Sequence, residues 1–165
     1  MLLIYFSLRT PGSAYMDRKK LISRLNWFFN LELNQVDLYT SQSRYSKDPY
    51  VKIAFERIAY IEQQHVDNIA DKIKELGGKP SKAGDVLAPI LGSAAGTMLS
   101  AAGLSNVLMA NILIEKKAMK DYKKLIHQLK RTYGDIQLVR LLQHNLFDED
   151  LHTAWFQREL SGLKN

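Results

Sequence analysis

The chain has 165 residues, 46% of them apolar, which suits one domain with a buried core and gives no sign of a second. Cysteine is missing, which excludes disulfides, thiol catalysis, zinc knuckles and cysteine-held iron–sulfur centres, so any electron donor is expected to be a separate molecule. The net charge of +6 suits anionic partners, but the basic residues spread along several segments without a recognition motif, and no nucleic-acid partner is expected.

Residues 1–15, MLLIYFSLRTPGSAY, begin apolar, lack a preceding positive stretch and break at Pro11-Gly12, so they do not read as a secretory signal and a cytoplasmic location is expected. Met16-Asp17-Arg18-Lys19-Lys20 makes a natural start. Residues 1–15 are therefore read as an N-terminal extension without function, and 16–165 as a single domain.

The first predicted helix runs from about Asp17, as N-cap, to Arg44, and stops before the turn at Ser46 to Pro49 because the residue preceding proline avoids helical angles. A helix turns about 100° per residue, so positions three, four and seven apart share a face. Leu25, Phe29, Glu32, Val36 and Tyr39 form such a face, apolar except for one glutamate. The second helix starts at Pro49, suited to a first helical position, and ends at Gly77-Gly78. Its stripe is Phe55, Ile58, Glu62, His65 and Ile69, so a carboxylate and an imidazole are expected to enter the core together.

After the polar loop GGKPSKAG, the chain carries no charge from Val86 to Ile114, longer than the roughly 20 residues a membrane span needs. Gly92, Gly96 and Gly103 interrupt the run, and Ser105-Asn106 reads as a fresh helix start, so a span is rejected in favour of an apolar crossover helix over about Asp85 to Ala102. Lys72, Lys74, Lys79 and Lys82 precede it and Lys116, Lys117, Lys120, Lys123 and Lys124 follow, a pattern that suits residues 86–104 lying on a membrane surface; a subunit interface or plain core is the alternative.

The third long helix reaches about Tyr133, with Leu108, Ile112, Glu115, Met119 and Tyr122 as its stripe. Asp135 caps the fourth, which ends near Gly162 and repeats the earlier pair in Leu142, Leu146, Glu149, His152 and Phe156. The chain order is thus Glu, Glu-x-x-His, Glu, Glu-x-x-His. A shuffled chain of this composition would hold about 0.2 Glu-x-x-His pairs, so two, each interrupting an apolar stripe, are poorly explained by coincidence.

A buried carboxylate normally protonates, pairs or binds a cation, and four converging carboxylates would be balanced by two divalent ions. Carboxylate mixed with imidazole suits iron, with manganese or a mixed pair as alternatives. The pattern resembles the dinuclear carboxylate site of ferritin-like four-helix bundles, and an all-α fold of that kind, with a long crossover between helices two and three, is expected. In such a site Glu62 and Glu149 bridge, while Glu32 with His65 and Glu115 with His152 complete the two ions. Asp67, Asp121, Asp148 and Asp150 are candidates to orient the histidines' second nitrogens. His127 and His144 fall off the stripes and are expected at the surface. Tyr39 and Tyr122 follow their glutamates by two turns, about 10 Å and too far to coordinate a shared ion; they are either core aromatics with a hydrogen-bonded hydroxyl or the lining of a substrate channel.

The segment Glu32 to Gln42, ELNQVDLYTSQ, resembles the Glu-x6-Tyr-x2-Gln motif of the demethoxyubiquinone hydroxylase family, and LAPILGSAAGTMLSAAG leading to Glu115 resembles its membrane-associated segment. That family usually has His-Ala-Gly where this chain has Phe29-Asn30-Leu31. The resemblance implies a di-iron monooxygenase that activates dioxygen and hydroxylates a quinone-like lipophilic substrate, using an external electron donor at the inner membrane face. Three readings are carried forward: that oxidoreductase; a rubrerythrin-like peroxide reductase or ferroxidase, the latter expected to form a homo-oligomer; and a metal-containing, non-enzymatic membrane-binding or scaffold bundle.

Overall fold

A computed structural model describes residues 16–91, 103–132 and 135–163. It contains four long helices, α1 (Arg18–Tyr45), α2 (Pro49–Glu75), α4 (Leu104–Thr132) and α5 (Ile136–Gly162), with a four-residue turn of helix, α3 (Ala88–Leu91), between the two pairs. Short connections fold α1 against α2 and α4 against α5, giving two helical hairpins that meet through α1 with α4 and α2 with α5.

The helix ends follow the local chemistry. The Asp48 carboxylate accepts from the Tyr50 and Val51 amides at 2.8 and 3.1 Å, with Pro49 in the first turn, and Asp135 accepts from Leu138 N at 2.9 Å. Asp17 stands at the predicted N-cap of α1, but its side chain makes no capping hydrogen bond, so the expected cap interaction is not formed. Helix α2 ends in a Schellman turn: Gly77 N donates to Lys74 O and Gly78 N to Ile73 O, and Gly77 has φ +69°, where a Cβ would be strained.

The predicted crossover helix is described only at α3, and residues 92–102 of the proposed membrane-facing segment lie outside the described residues. Among the described residues, no helix is long and apolar enough to cross a membrane. What the described part of the connection does show is a clamp. Asn26, Asn30 and Asn34, one turn apart on α1, hold its backbone: Ser81 N donates to Asn26 Oδ1 (2.8 Å), Asn30 Nδ2 to Ser81 O (2.8 Å), Ala83 N to Asn30 Oδ1 (2.6 Å) and Val86 N to Asn34 Oδ1 (2.9 Å). Each asparagine gives backbone groups of this exposed connection a partner on α1 and so ties the loop to the bundle.

The core is divided. A larger apolar cluster gathers Leu21, Leu25, Phe28, Ile69, Ile73, Leu125, Leu129 and Leu142. A smaller one gathers Tyr39, Phe55, Ile58, Leu108, Ile112 and Phe156. On every long helix the glutamate falls in sequence between a residue of one cluster and a residue of the other, which confines the polar side chains to one layer across the bundle.

Candidate metal centre

All six side chains singled out by the stripes meet in that layer. Glu32, Glu62, Glu115 and Glu149 are fully buried, and His65 and His152 are 2% and 4% exposed. Glu32, Glu62, His65 and Glu149 each bring a donor atom within 4.8 Å of the others, and so do Glu62, Glu115, Glu149 and His152. Glu62 and Glu149 belong to both groups.

Around them the protein supplies few hydrogen bonds. One oxygen each of Glu32, Glu62 and Glu115, both oxygens of Glu149 and both ring nitrogens of His152 are buried without a hydrogen-bond partner. His152 Nδ1 is 3.0 Å from Glu62 Oε1 but lacks hydrogen-bond alignment. A folded chain rarely tolerates so many unpaired buried donors and acceptors in one place unless a cation belongs there. The donor set, carboxylate oxygens with imidazole nitrogens in two groups sharing two carboxylates, fits a pair of divalent ions.

The remaining donors are tyrosines. Tyr39 donates to Glu115 Oε1 and Tyr122 to Glu32 Oε1, each reaching across the bundle to a glutamate of another helix. Asn145 Nδ2 in turn donates to the Tyr122 hydroxyl at 3.1 Å. Phe28 stacks on Tyr122 with ring centroids 4.1 Å apart, and Tyr39 packs beside Phe55 and Phe156. Of the two alternatives for these tyrosines, the hydrogen-bonded core position is the one observed. Burial and the facing carboxylates Glu115 and Glu32 hold both phenols well above their ordinary range, so they remain neutral donors.

Protonation reflects crowding. Burial and the neighbouring Glu62 and Glu32 charges push Glu149 up to about 8. Burial also raises Glu62 and Glu115 well above the usual carboxylate range, reinforced by Glu32 and Glu149 respectively. Burial would raise Glu32 too, but His65 outweighs it and Glu32 is lowered. Burial alone would lower His65, yet its hydrogen bonds to Asp148 and Glu62 and the nearby carboxylates Glu149 and Glu32 raise it well above 6.5, while burial lowers His152. Without metal, burial and crowding thus favour protons on Glu62, Glu115 and Glu149, while the charged forms of Glu32 and His65 are favoured, and cations would displace protons held in the cluster.

Of the four aspartates considered as partners for the histidines, Asp148 is the one found, 3.1 Å from His65 Nε2. Asp67 pairs with Gln63, Asp121 with Trp27 and Lys117, and Asp150 is exposed. His127 and His144 are at the surface. Sequence reasoning missed Asn145, one turn before Glu149, and the buried Gln35, one turn after Glu32; both lay on the same helical stripes, where their spacing could have flagged them.

The ferritin-like domain family model matches residues 22–165. The chain belongs to the ferritin-like domain family. A curated relative, the bacterioferritin of Desulfovibrio desulfuricans, is 28% identical over 154 residues, spanning 90% of this chain and 79% of that protein. The X-ray structure of the Desulfovibrio desulfuricans bacterioferritin, which describes a diiron site reduced in solution and allowed to reoxidise, has a TM-score of 0.75 and 25% identity, covering 90% of this chain and 82% of that one.

Within the ferritin-like family these relatives are bacterioferritins, which corrects the finer resemblance to demethoxyubiquinone hydroxylase. The motif that suggested it has a more general origin here. Tyr39 is set by its hydrogen bond to Glu115, and Gln42 by a reciprocal amide pair with Asn111 at 2.9 and 2.8 Å, both being bundle contacts that carry no information about a quinone. Neither the monooxygenase assignment nor the membrane surface gains support from the described residues or the relatives.

Proposed function

We propose that this chain is a ferroxidase of bacterioferritin type: it binds two ferrous ions in the buried layer and oxidises them with dioxygen. The observation that carries the reading is the pair of four-residue groups sharing Glu62 and Glu149, with their unpaired buried oxygens. The relatives, bacterioferritins with a described diiron site, support it.

Glu32 and His65 would hold one ion, Glu115 and His152 the other, and Glu62 and Glu149 would be shared. When bound, the ion pair supplies two electrons at one place, so dioxygen can leave as peroxide after taking two protons. The surrounding residues do the rest. Tyr39 and Tyr122 fix the carboxylate planes of Glu115 and Glu32, the apolar clusters above and below exclude water, and the carboxyl protons of Glu62, Glu115 and Glu149 depart as the ions enter. Iron provides the electrons, so this reaction needs no further donor or organic substrate.

The test is anaerobic loading with ferrous iron followed by exposure to oxygen, with an oxygen electrode and Mössbauer spectroscopy. Two irons bound per chain, and about one dioxygen consumed per two irons, is the expected outcome. Oxygen uptake that appears only with an added quinol would favour the hydroxylase; no uptake with any reductant would favour the scaffold. Association into a homo-oligomer is also proposed, supported by exposed apolar side chains on α2 (Ile53, Tyr60) and α5 (Phe147, Leu151). A compact monomer or dimer in sedimentation velocity would exclude a storage cage.

A further inference from the structure

The two halves of the centre differ in what stands behind their histidines. His65 is held at both ends of its ring. Nε2 lies 3.1 Å from Asp148 Oδ2, while Nδ1 faces the acidic cluster, 3.0 Å from Glu62 Oε2, 3.7 Å from Glu149 Oε1 and 3.9 Å from Glu32 Oε2. Without metal, Nδ1 is hydrogen-bonded to Glu62 Oε2; once an ion displaces the Nδ1 proton, the hydrogen on Nε2 would stay with Asp148 and the Nδ1 lone pair would face the ion.

His152 is hydrogen-bonded at neither end among the described residues. Its Nδ1 faces the cluster in the same way, 3.0 Å from Glu62 Oε1 and 3.7 Å from Glu115 Oε1. Its Nε2 is buried and meets no hydrogen-bond partner among the described residues. Among the described residues no acceptor selects its tautomer or fixes its ring plane.

The difference is written in the sequence. Asp148 immediately precedes the shared glutamate of α5, Glu149, and reaches across to the histidine of α2. The corresponding position on α2, immediately before Glu62, is Ile61, which offers no acceptor to the histidine of α5. The internal repeat therefore preserves the ligands and breaks the support behind one of them.

We propose that the two metal subsites are inequivalent: the Glu32–His65 subsite fills first and more tightly, and Asp148 is the positioning residue responsible. The inference rests on the di-metal reading above. A partner of this kind orients the ligand in advance and raises its basicity, and losing one typically costs about 10–100-fold in metal affinity. The Glu115–His152 subsite has to order its imidazole at the moment of binding, and its ion would be the one more readily released.

The experiment is titration of the metal-free protein with Co²⁺, following d–d absorption against a competing chelator and recording paramagnetically shifted proton spectra at one and two equivalents. The wild-type protein should bind two ions in resolved steps, with a single sharp, slowly exchanging imidazole N–H signal at one equivalent. Asp148→Asn keeps the shape of a partly exposed side chain; it should weaken the first step by about 10–100-fold, leave the second nearly unchanged and broaden that N–H signal. Ile61→Asp should tighten the second step instead, so the idea stays testable if the Asp148 variant folds poorly. Two indistinguishable steps in the wild-type protein, or equal weakening of both in Asp148→Asn, would overturn the inference while leaving the metal centre intact. No Co²⁺ uptake by the wild-type protein would bring down the metal centre itself.

Discussion

At the scale of single residues, the tyrosine hydroxyls are the protein's main contribution to a cluster otherwise built of mutually repelling groups. Tyr122→Phe removes the donor to Glu32 and the acceptor of Asn145 together, leaving a buried carboxylate and amide short of partners. The expected cost to the metal-free protein is about 1–3 kcal/mol, measurable by urea unfolding. The carboxyl protons make a second prediction. Glu149 is raised to about 8 and His65 well above 6.5, so between pH 6.5 and 8 the folded state retains protons that the unfolded chain gives up. Stability then falls as pH rises through that window, because each retained proton must eventually be surrendered against burial. His152, lowered from 6.5, acts in the opposite direction only below 6.5, which is why the window starts there. Thermal melts of chelator-treated protein from pH 6.5 to 8 should show a decreasing Tm; a rising Tm would contradict the protonation pattern.

At the scale of elements, the connection after α2 depends on α1 rather than on its own hydrogen bonds. Asn30 both donates to Ser81 O and accepts from Ala83 N, and it is 3% exposed, so Asn30→Ala leaves two backbone groups of the connection without partners. A loss of about 0.5–1.5 kcal/mol per hydrogen bond is expected, with faster hydrogen exchange at the Ala83 amide as the local signature. The long helices were legible because Pro49, Gly77 and Asp135 act through nearest neighbours, and because Glu32, Glu62, Glu115 and Glu149 are misplaced on stripes that should be apolar. The asparagine clamp was not legible. Asn26, Asn30 and Asn34 stand on a helical period that sequence alone reads as a polar face, and only the path of residues 79–86 turns them into partners. The same limit applied to Asp148, one of four aspartates that the helix pattern could not distinguish until α5 was set against α2.

At the scale of the whole molecule, function and stability oppose one another. An apolar bundle of this size would be steadier without a polar layer dividing its core, and the layer is favourable only when cations occupy it. Glu149 isolates the trade-off, since neither of its oxygens has a hydrogen-bond partner and its substitution strands no donor. Glu149→Leu should therefore stabilise the metal-free protein by about 1–3 kcal/mol, as expected when a buried polar group without a hydrogen-bond partner gives way to an apolar one of similar volume. It should also abolish the stabilisation that divalent ions confer, because a carboxylate common to both four-residue groups is gone. In the unaltered protein, an ion held at 100 times its dissociation constant adds about 2.7 kcal/mol per independent site, so metal should raise the wild-type Tm well above that of chelator-treated protein. Paired melts with and without Co²⁺ should show the two proteins exchanging rank: the variant higher without metal, the wild type higher with it. A variant less stable in both conditions would mean that Glu149 is held by contacts within the protein, and that the layer is structural and not built for ions.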